Sequence, residues 1–308
     1  LIFFPQENKG VMNRYRFLSG VMLSGVLLLL IAATPGSAKR PQRIVSLAPN
    51  LTEMIFKLGV QDRLVGRTEY DRYPPAVREI PSVGGYLNTD YEKILSLHPD
   101  LIVMLPSPEK RKKFQSLGLP VLELPDETVE EILHSLRVLG ETLGASNRAQ
   151  AVVQGIRDTL QMVKRSADSL NEHPIGLLLV GRQMGELRGL YAAGRNSYLG
   201  QLWKMAGGQT AFPDINLHYF NVNQEALLTT PIQVILEFHP PGYLSAQRRE
   251  NILKLWRKLP TIPAVRNQRI FLFDDEMFLI PGPRIARVAV AFFQIIHSIG
   301  IRANDSGQ

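Results

Sequence analysis

Two glutamates sit in matching surroundings, Glu92 in "VGGYLNTDYEKILSLHPDLIVML" and Glu225 in "FNVNQEALLTTPIQVILEF". Each opens a short helical run that follows a loop and precedes a buried strand. The interval from Glu92 to Glu225 also separates Ile94-Leu95 from Leu227-Leu228, and Leu101-Ile102-Val103 from Val234-Ile235-Leu236; Pro99 and Pro231 miss it by one. A carboxylate at a helix start has a structural use. Thr89-Asp90-Tyr91-Glu92 fits the capping box, in which Glu92 returns to the Thr89 N–H, and Asn223 suits the second helix as a cap. Equivalence adds another use, because two related lobes would present one carboxylate each, on the same rim, to a partner with two basic sites.

Motifs for catalysis are sparse. The chain has no G-x-S-x-G elbow, no P-loop, and no G-x-G-x-x-G after its first strand. Asp274-Asp275 follow a strand, as an active-site pair would, but no base, nucleophile or metal set accompanies them, so an exported α/β enzyme is the alternative of another class. His98, His134, His173, His239 and His297 fall in turns or helices without ligand spacing. The sequence has no cysteine, which excludes disulfides, thiolate metal sites, a cysteine nucleophile and a lipid-anchored cysteine.

The elements that must position these residues follow from apolar patterning. "RIVSLAP" reads as a buried strand, with Asn50 or Thr52 opening the helix "LTEMIFKLG". Strands "RLVGRTEY", "DLIVML" and "PVLEL" alternate with helices, as in a parallel sheet covered on both faces. A helix over 126–143 leads to a long one whose apolar stripe falls at positions 149, 152, 153, 156, 160, 163, 167 and 170. Asn147 to Leu170 would be roughly 36 Å long, too long to cover one small sheet. After His173-Pro174 the pattern restarts with "IGLLLVG", "IQVILEF" and "RIFLFD", and ends in a helix from Pro283 to Ile299. The expectation is two parallel-sheet α/β lobes, 42–145 and 173–302, joined by a single helix, 146–171, with a tail at 303–308. Trp203 and Trp256 fall in helical stretches and are expected in the core.

Composition fits: 308 residues, 45% hydrophobic and 20% charged, allow two cores. Residues 1–38 differ. Met12 to Arg16 is a basic head, Phe17 to Ala33 an almost uncharged run, and "TPGSA" a small-residue exit, the pattern of a secretory signal peptide cut near Ala38. Removing it takes away Lys9, Arg14, Arg16 and Glu7 and lowers the formal charge of +7 by two. The remaining cations are scattered, with no aromatic-interleaved basic stripe, so nucleic acid is not an expected partner.

"RIVSLAPNLTEMIFKLG", "VGRTEYDRYPPAV", "VGGYLNTDYEKILSLHPDLIV", "YAAGRNSYLGQLWKMAGG", "VNQEALL" and "PGPRI" together resemble the periplasmic substrate-binding proteins of ABC importers for cobalamin and iron-siderophore or haem. The likeness covers essentially the whole mature chain. It implies two lobes on one rigid helix, a ligand in the cleft between them, no catalysis and no resident cofactor. The transported ligand would be a cobalt corrinoid, cobalamin first, or an iron complex such as a ferric siderophore or haem. The implied partner is a permease dimer of the inner membrane, docked through Glu92 and Glu225, with the binding protein a periplasmic monomer. Loops at the carboxyl ends of the strands then supply the ligand contacts. These are Tyr70, Tyr73, Tyr86 and Leu87 from the first lobe, and Arg182, Arg188, His218, Tyr219, Phe220, Glu276 and Phe278 from the second. Tyr86 and Tyr219 match aromatic positions that pack on a corrin ring in B12 binders, whose tryptophan-rich cleft is not reproduced. Arg182 and Arg188 would suit a carboxylate or phosphate on the ligand, and His218 is a candidate axial ligand to cobalt or haem iron.

Overall fold

Short apolar runs, each followed by a helix that returns the chain to the same edge, build the first sheet. In the computed structural model, residues 40–305 are described; the expected signal peptide and its cleavage site lie outside them. The first half runs β1 (Ile44–Ser46), α1 (Pro49–Leu58), β2 (Leu64–Gly66), α2 (Tyr91–Ser96), β3 (Leu101–Met104), α3 (Pro108–Ser116), β4 (Val121–Glu123) and α4 (Val129–Thr142). Its strands are parallel in the order β2-β1-β3-β4, with Ile44 beside both Leu64 and Leu101.

Helix α5 (Ser146–Ala167) follows, then β5 (Ile175–Gly181), β6 (Leu190–Ala193), α6 (Tyr198–Met205), β7 (Gln209–Thr210), β8 (Tyr219–Val222), α7 (Gln224–Thr229), β9 (Val234–Phe238), α8 (Ala246–Trp256), α9 (Pro263–Arg266), β10 (Ile270–Phe273) and α10 (Ile285–Asp305). The second sheet has the order β10-β9-β5-β6-β8, with β7 also on β5. Here the parallel-sheet lobe carries an antiparallel extension at one edge. β10, β9 and β5 are parallel, but β6 is antiparallel to β5 and to β8. Residues 182–189 are too few for a crossover, which takes a dozen or more, so the chain turns back on itself. Gly189 stands in that turn at φ 57°.

Two helix starts also differ from their expected places. α1 begins at Pro49 with Ala48 as its cap, because proline's fixed φ suits the first helical turn. Asn50 and Thr52 are thereby released from capping and turn to other partners. The capping box expected at Thr89 and Glu92 is absent there: Asp90 caps α2 by accepting from Lys93 N, and Thr89 donates to Gly85 O. A complete box stands instead on α4, between Thr128 and Glu131.

One apolar cluster crosses from one sheet to the other. It contains Ile44, Leu101 and Val103 of the first sheet, Leu178, Val234 and Leu236 of the second, and Trp203 and Phe292 between. Ala149, Val153, Ile156, Leu160 and Val163 of α5 are buried in the same cluster. Separate clusters fill the far side of each sheet, with Trp256 in the second and Phe114 in the first. The two sheets are therefore held by common packing as well as by the chain that links them. Leu160→Ala, which removes a side chain from this shared layer, should cost about 2–4 kcal/mol. Calorimetry should show one unfolding transition, lowered as a whole; two separable transitions with one unshifted would contradict the shared core.

Candidate ligand cleft

The carboxyl ends of β1, β3, β4 and β5 meet around a cavity of about 490 Å³, within the common range for ligand sites of roughly 300–1,000 Å³. The first lobe contributes Ala48, Pro49, Asn50, Leu105, Asp126 and Glu127; the second contributes Val180, Tyr191, Tyr198, Tyr219 and the Leu279 to Pro281 turn. Asn50, on the first turn of α1, donates from Nδ2 to Asp126 Oδ2 at 2.9 Å. Burial pushes the Asp126 carboxyl up to about 7, with Glu127 and Glu131 adding to the rise and Asn50 opposing it. Tyr198 is buried and donates its hydroxyl to Phe278 O at 2.7 Å. Tyr219 stacks on Tyr191, centroids 5.9 Å apart, and its phenol is held protonated by burial and by the nearby Asp126.

The lobes are tied across this cavity by polar contacts. Tyr198 N donates to Glu127 O at 2.7 Å, Val129 N to Gln201 Oε1 at 3.0 Å, and His218 Nδ1 lies 3.0 Å from Glu127 Oε2. Deeper, Arg284 clasps Glu53 of α1 with Nε at 2.9 Å and Nη2 at 2.6 Å, and reaches Glu276 at 3.3 Å. The guanidinium also lies 4.3 Å from the ring centre of Tyr73. Burial pushes the Glu53 carboxyl up while Arg284 pulls it down, and the pair holds Arg284 protonated. Thr52, freed from the helix cap, joins Thr68 in donating to Asp71, whose carboxyl burial raises to about 6. That buried knot anchors the loop carrying Tyr70 and Tyr73.

Of the residues expected to touch ligand, only Tyr219 lines the cavity. Tyr70, Tyr73, Tyr86 and Leu87 stand exposed on first-lobe loops. Gly85 brings two of these loops together, since a Cβ there would meet the Tyr70 ring at 2.8 Å. Lys110 fixes the Tyr86 loop, lying 4.0 Å from the ring centre and donating to Thr89 Oγ1 at 3.2 Å. His218 is bound to Glu127, and Glu276 to Arg284.

Three expectations need correction, those for Phe220, Phe278 and Arg182, while Arg188 lies outside the cavity lining. Phe220 is buried against Phe212 in the second-lobe core, because residues 219–222 form a strand and neighbouring side chains point oppositely. Phe278 is buried in a stack with Phe238, Phe273 and Phe292. Arg182 is buried in an ion pair with Glu237 at 3.1 Å. Arg188 is exposed and lies 3.6 Å from Glu186. The sequence reading missed Asn50, Asp126, Glu127, Tyr191 and Tyr198. Asp126 and Glu127 follow "PVLEL", so the rule that ligands gather at strand ends would have found them had the run not been read as the start of a helix.

Glu92 and Glu225 are alike in detail. Each is the second residue of a six-residue helix, capped by Asp90 accepting from Lys93 N at 2.9 Å and by Asn223 accepting from Ala226 N at 2.8 Å. Both glutamates are exposed. In each helix the residue two positions on, Ile94 or Leu227, is buried, and the following leucine, Leu95 or Leu228, is exposed.

Two α/β lobes on a shared core, with a cavity between their strand ends, define a solute-binding protein. The chain belongs to the periplasmic binding protein family, whose profile it matches over residues 44–277. It is 26% identical over 257 residues to a vitamin B12-binding protein of Vibrio cholerae, covering 82% of this chain and 88% of the relative. It is 25% identical over 253 residues to an uncharacterized ABC transporter substrate-binding lipoprotein, YvrC, of Bacillus subtilis, covering 80% of this chain and 77% of the relative. Among solved structures, a periplasmic heme binding protein from Pseudomonas aeruginosa superposes with a TM-score of 0.71 at 26% identity, covering 83% of this chain and 92% of that one. The family is one of transport proteins, and its working place is outside the cytoplasm.

The buried Asp126 gives a pH signature. Its folded-state carboxyl titrates near 7, against an ordinary value of 3.8, so the folded protein holds a proton that the unfolded chain releases between these values. Stability from this group falls as pH rises through that window. Asp126→Asn removes the loss, so its melting temperature should gain on the parent's between pH 4 and pH 7.5. A difference independent of pH would contradict the buried, cation-free setting of Asp126.

Proposed function

We propose that this chain captures a corrinoid, cobalamin first, and delivers it to an ABC permease dimer in the inner membrane. The observation that carries the reading is the inter-lobe cavity, walled by tyrosines and aliphatic residues, with one exposed helix-borne glutamate on each lobe. Flat macrocycles are bound by apolar stacking with a few polar anchors, and Tyr219 backed by Tyr191 supplies a rigid face of that kind. The vitamin B12-binding relative from Vibrio cholerae supports the corrinoid, while the heme-binding structure keeps haem, with ferric siderophores, as the second reading. Glu92 and Glu225 serve as the docking carboxylates, with Leu95 and Leu228 as apolar neighbours. The basic head and apolar run of residues 12–33 support export through a cleaved signal peptide to the periplasm, where the protein works as a soluble monomer.

Calorimetric titration with cyanocobalamin tests the ligand. Removing a buried ring costs about 1–3 kcal/mol, so Tyr219→Ala should weaken binding roughly tenfold or more without unfolding the protein. Absence of binding to the parent, with tight binding of a ferric siderophore or hemin, would move the assignment to the second reading. Docking is tested by the Glu92→Gln, Glu225→Gln double variant, which should keep its fold and ligand affinity yet lose binding to the permease in nanodiscs. Permease binding of the parent should weaken as salt rises. Undiminished, salt-insensitive binding by the double variant would show that the carboxylates do not dock.

A further inference from the structure

Among the described residues, no arginine, lysine or histidine lines the cavity; its charged groups are Asp126 and Glu127. His218, outside the lining, is bound through Nδ1 to Glu127 Oε2 at 3.0 Å and so is already engaged by a lining carboxylate, and the other nearby cations are engaged elsewhere. Arg182 is paired with Glu237, Arg284 with Glu53 and Glu276, and Lys110 holds the Tyr86 loop. Arg188 and Arg195 lie outside the lining, beside Glu186 and Asn216. A ligand carrying carboxylates would thus bring negative charge against Asp126 and Glu127 with no lining cation to offset it, and like charges brought together while losing water are strongly disfavoured.

Asp126 offers the complementary chemistry. Asn50 occupies its Oδ2, and a carboxyl in such a setting accepts from the NH₂ of a primary carboxamide. When protonated it also donates to the amide carbonyl, giving a paired hydrogen bond. Tyr191 and Tyr219 form the apolar wall that a ring face would cover. We infer that the cleft selects a macrocycle whose edge carries neutral carboxamides over the same ring bearing free carboxylates, with Asp126 setting the preference. The inference rests on the corrinoid reading and narrows it, since corrins occur with amidated or acidic edges and the haem edge carries two propionates.

The test holds the ring constant and changes its edge. Dicyanocobinamide, with its amides, and dicyanocobyrinic acid, with free carboxylates, are titrated against the mature protein at pH 7.5 and followed by tryptophan and tyrosine fluorescence, with hemin in parallel. The amide form should bind at least about tenfold tighter, and that preference should shrink severalfold in Asp126→Asn. Glu127→Gln, on the exposed side of the cavity, provides a second variant should the first fail to fold, and its preference should also shrink. Equal or tighter binding of the carboxylate corrin would overturn the inference while leaving the corrinoid reading in place. Tight binding of hemin with no binding of either corrin would overturn both.

Discussion

The carboxylate of Glu53 lies inside the protein, where an unpaired charge is not tolerated, and Arg284 of the other lobe meets it with both arms of its guanidinium. Such a buried pair adds little net stability, because desolvation offsets much of the attraction, but parting it leaves a charge stranded in a poor solvent. Its proposed role is therefore to disfavour other lobe arrangements. Arg284 also touches Glu276 and faces the Tyr73 ring, so the same group fixes the turn that leads to the cavity and a loop of the first lobe. With the apolar cluster beneath, this clasp favours a preformed cleft.

A preformed cleft has a consequence for binding. Little free energy would then go into ordering the site, so the proposed stacking on Tyr219 and hydrogen bonding at Asp126 would appear in the affinity rather than being spent on closure. The exposed faces of α2 and α7 would then keep a constant separation whether or not ligand is present. Recognition by a permease would have to sense ligand through the mouth of the cleft or through its own movement, since Glu92 and Glu225, the proposed docking carboxylates, would stand at the same places in both states.

Much of this was legible in the sequence, for physical reasons. Apolar runs such as Leu101 to Met104 and Val234 to Leu236, too short for a core helix and rich in β-branched residues, read as buried strands between layers, and both strands are fully buried. The matched settings of Glu92 and Glu225 survive because short helices need a cap and a buried anchor at fixed spacing. What failed was side-chain direction. Phe220 and Phe278 read as cleft aromatics, but strand alternation and a turn facing the core bury them. Arg182 read as an anion site because its partner, Glu237, lies on a different strand, and sequence spacing carries no information on such pairing. Asn50 read as a cap, whereas Pro49 starts the helix and frees it for Asp126.

The central claim, that the lobes form one body clasped around a ready cleft, can be measured directly because the chain has no cysteine of its own. Spin labels on Ser96→Cys and Thr229→Cys, at equivalent exposed ends of α2 and α7, report the separation of the two proposed docking faces by pulsed electron resonance. The account predicts one narrow distance distribution, unchanged by saturating cyanocobalamin, which broadens when Arg284→Ala is added. A broad distribution in the parent, or a shift of more than about 5 Å on adding ligand, well beyond the ångström-scale changes of preorganised partners, would contradict it.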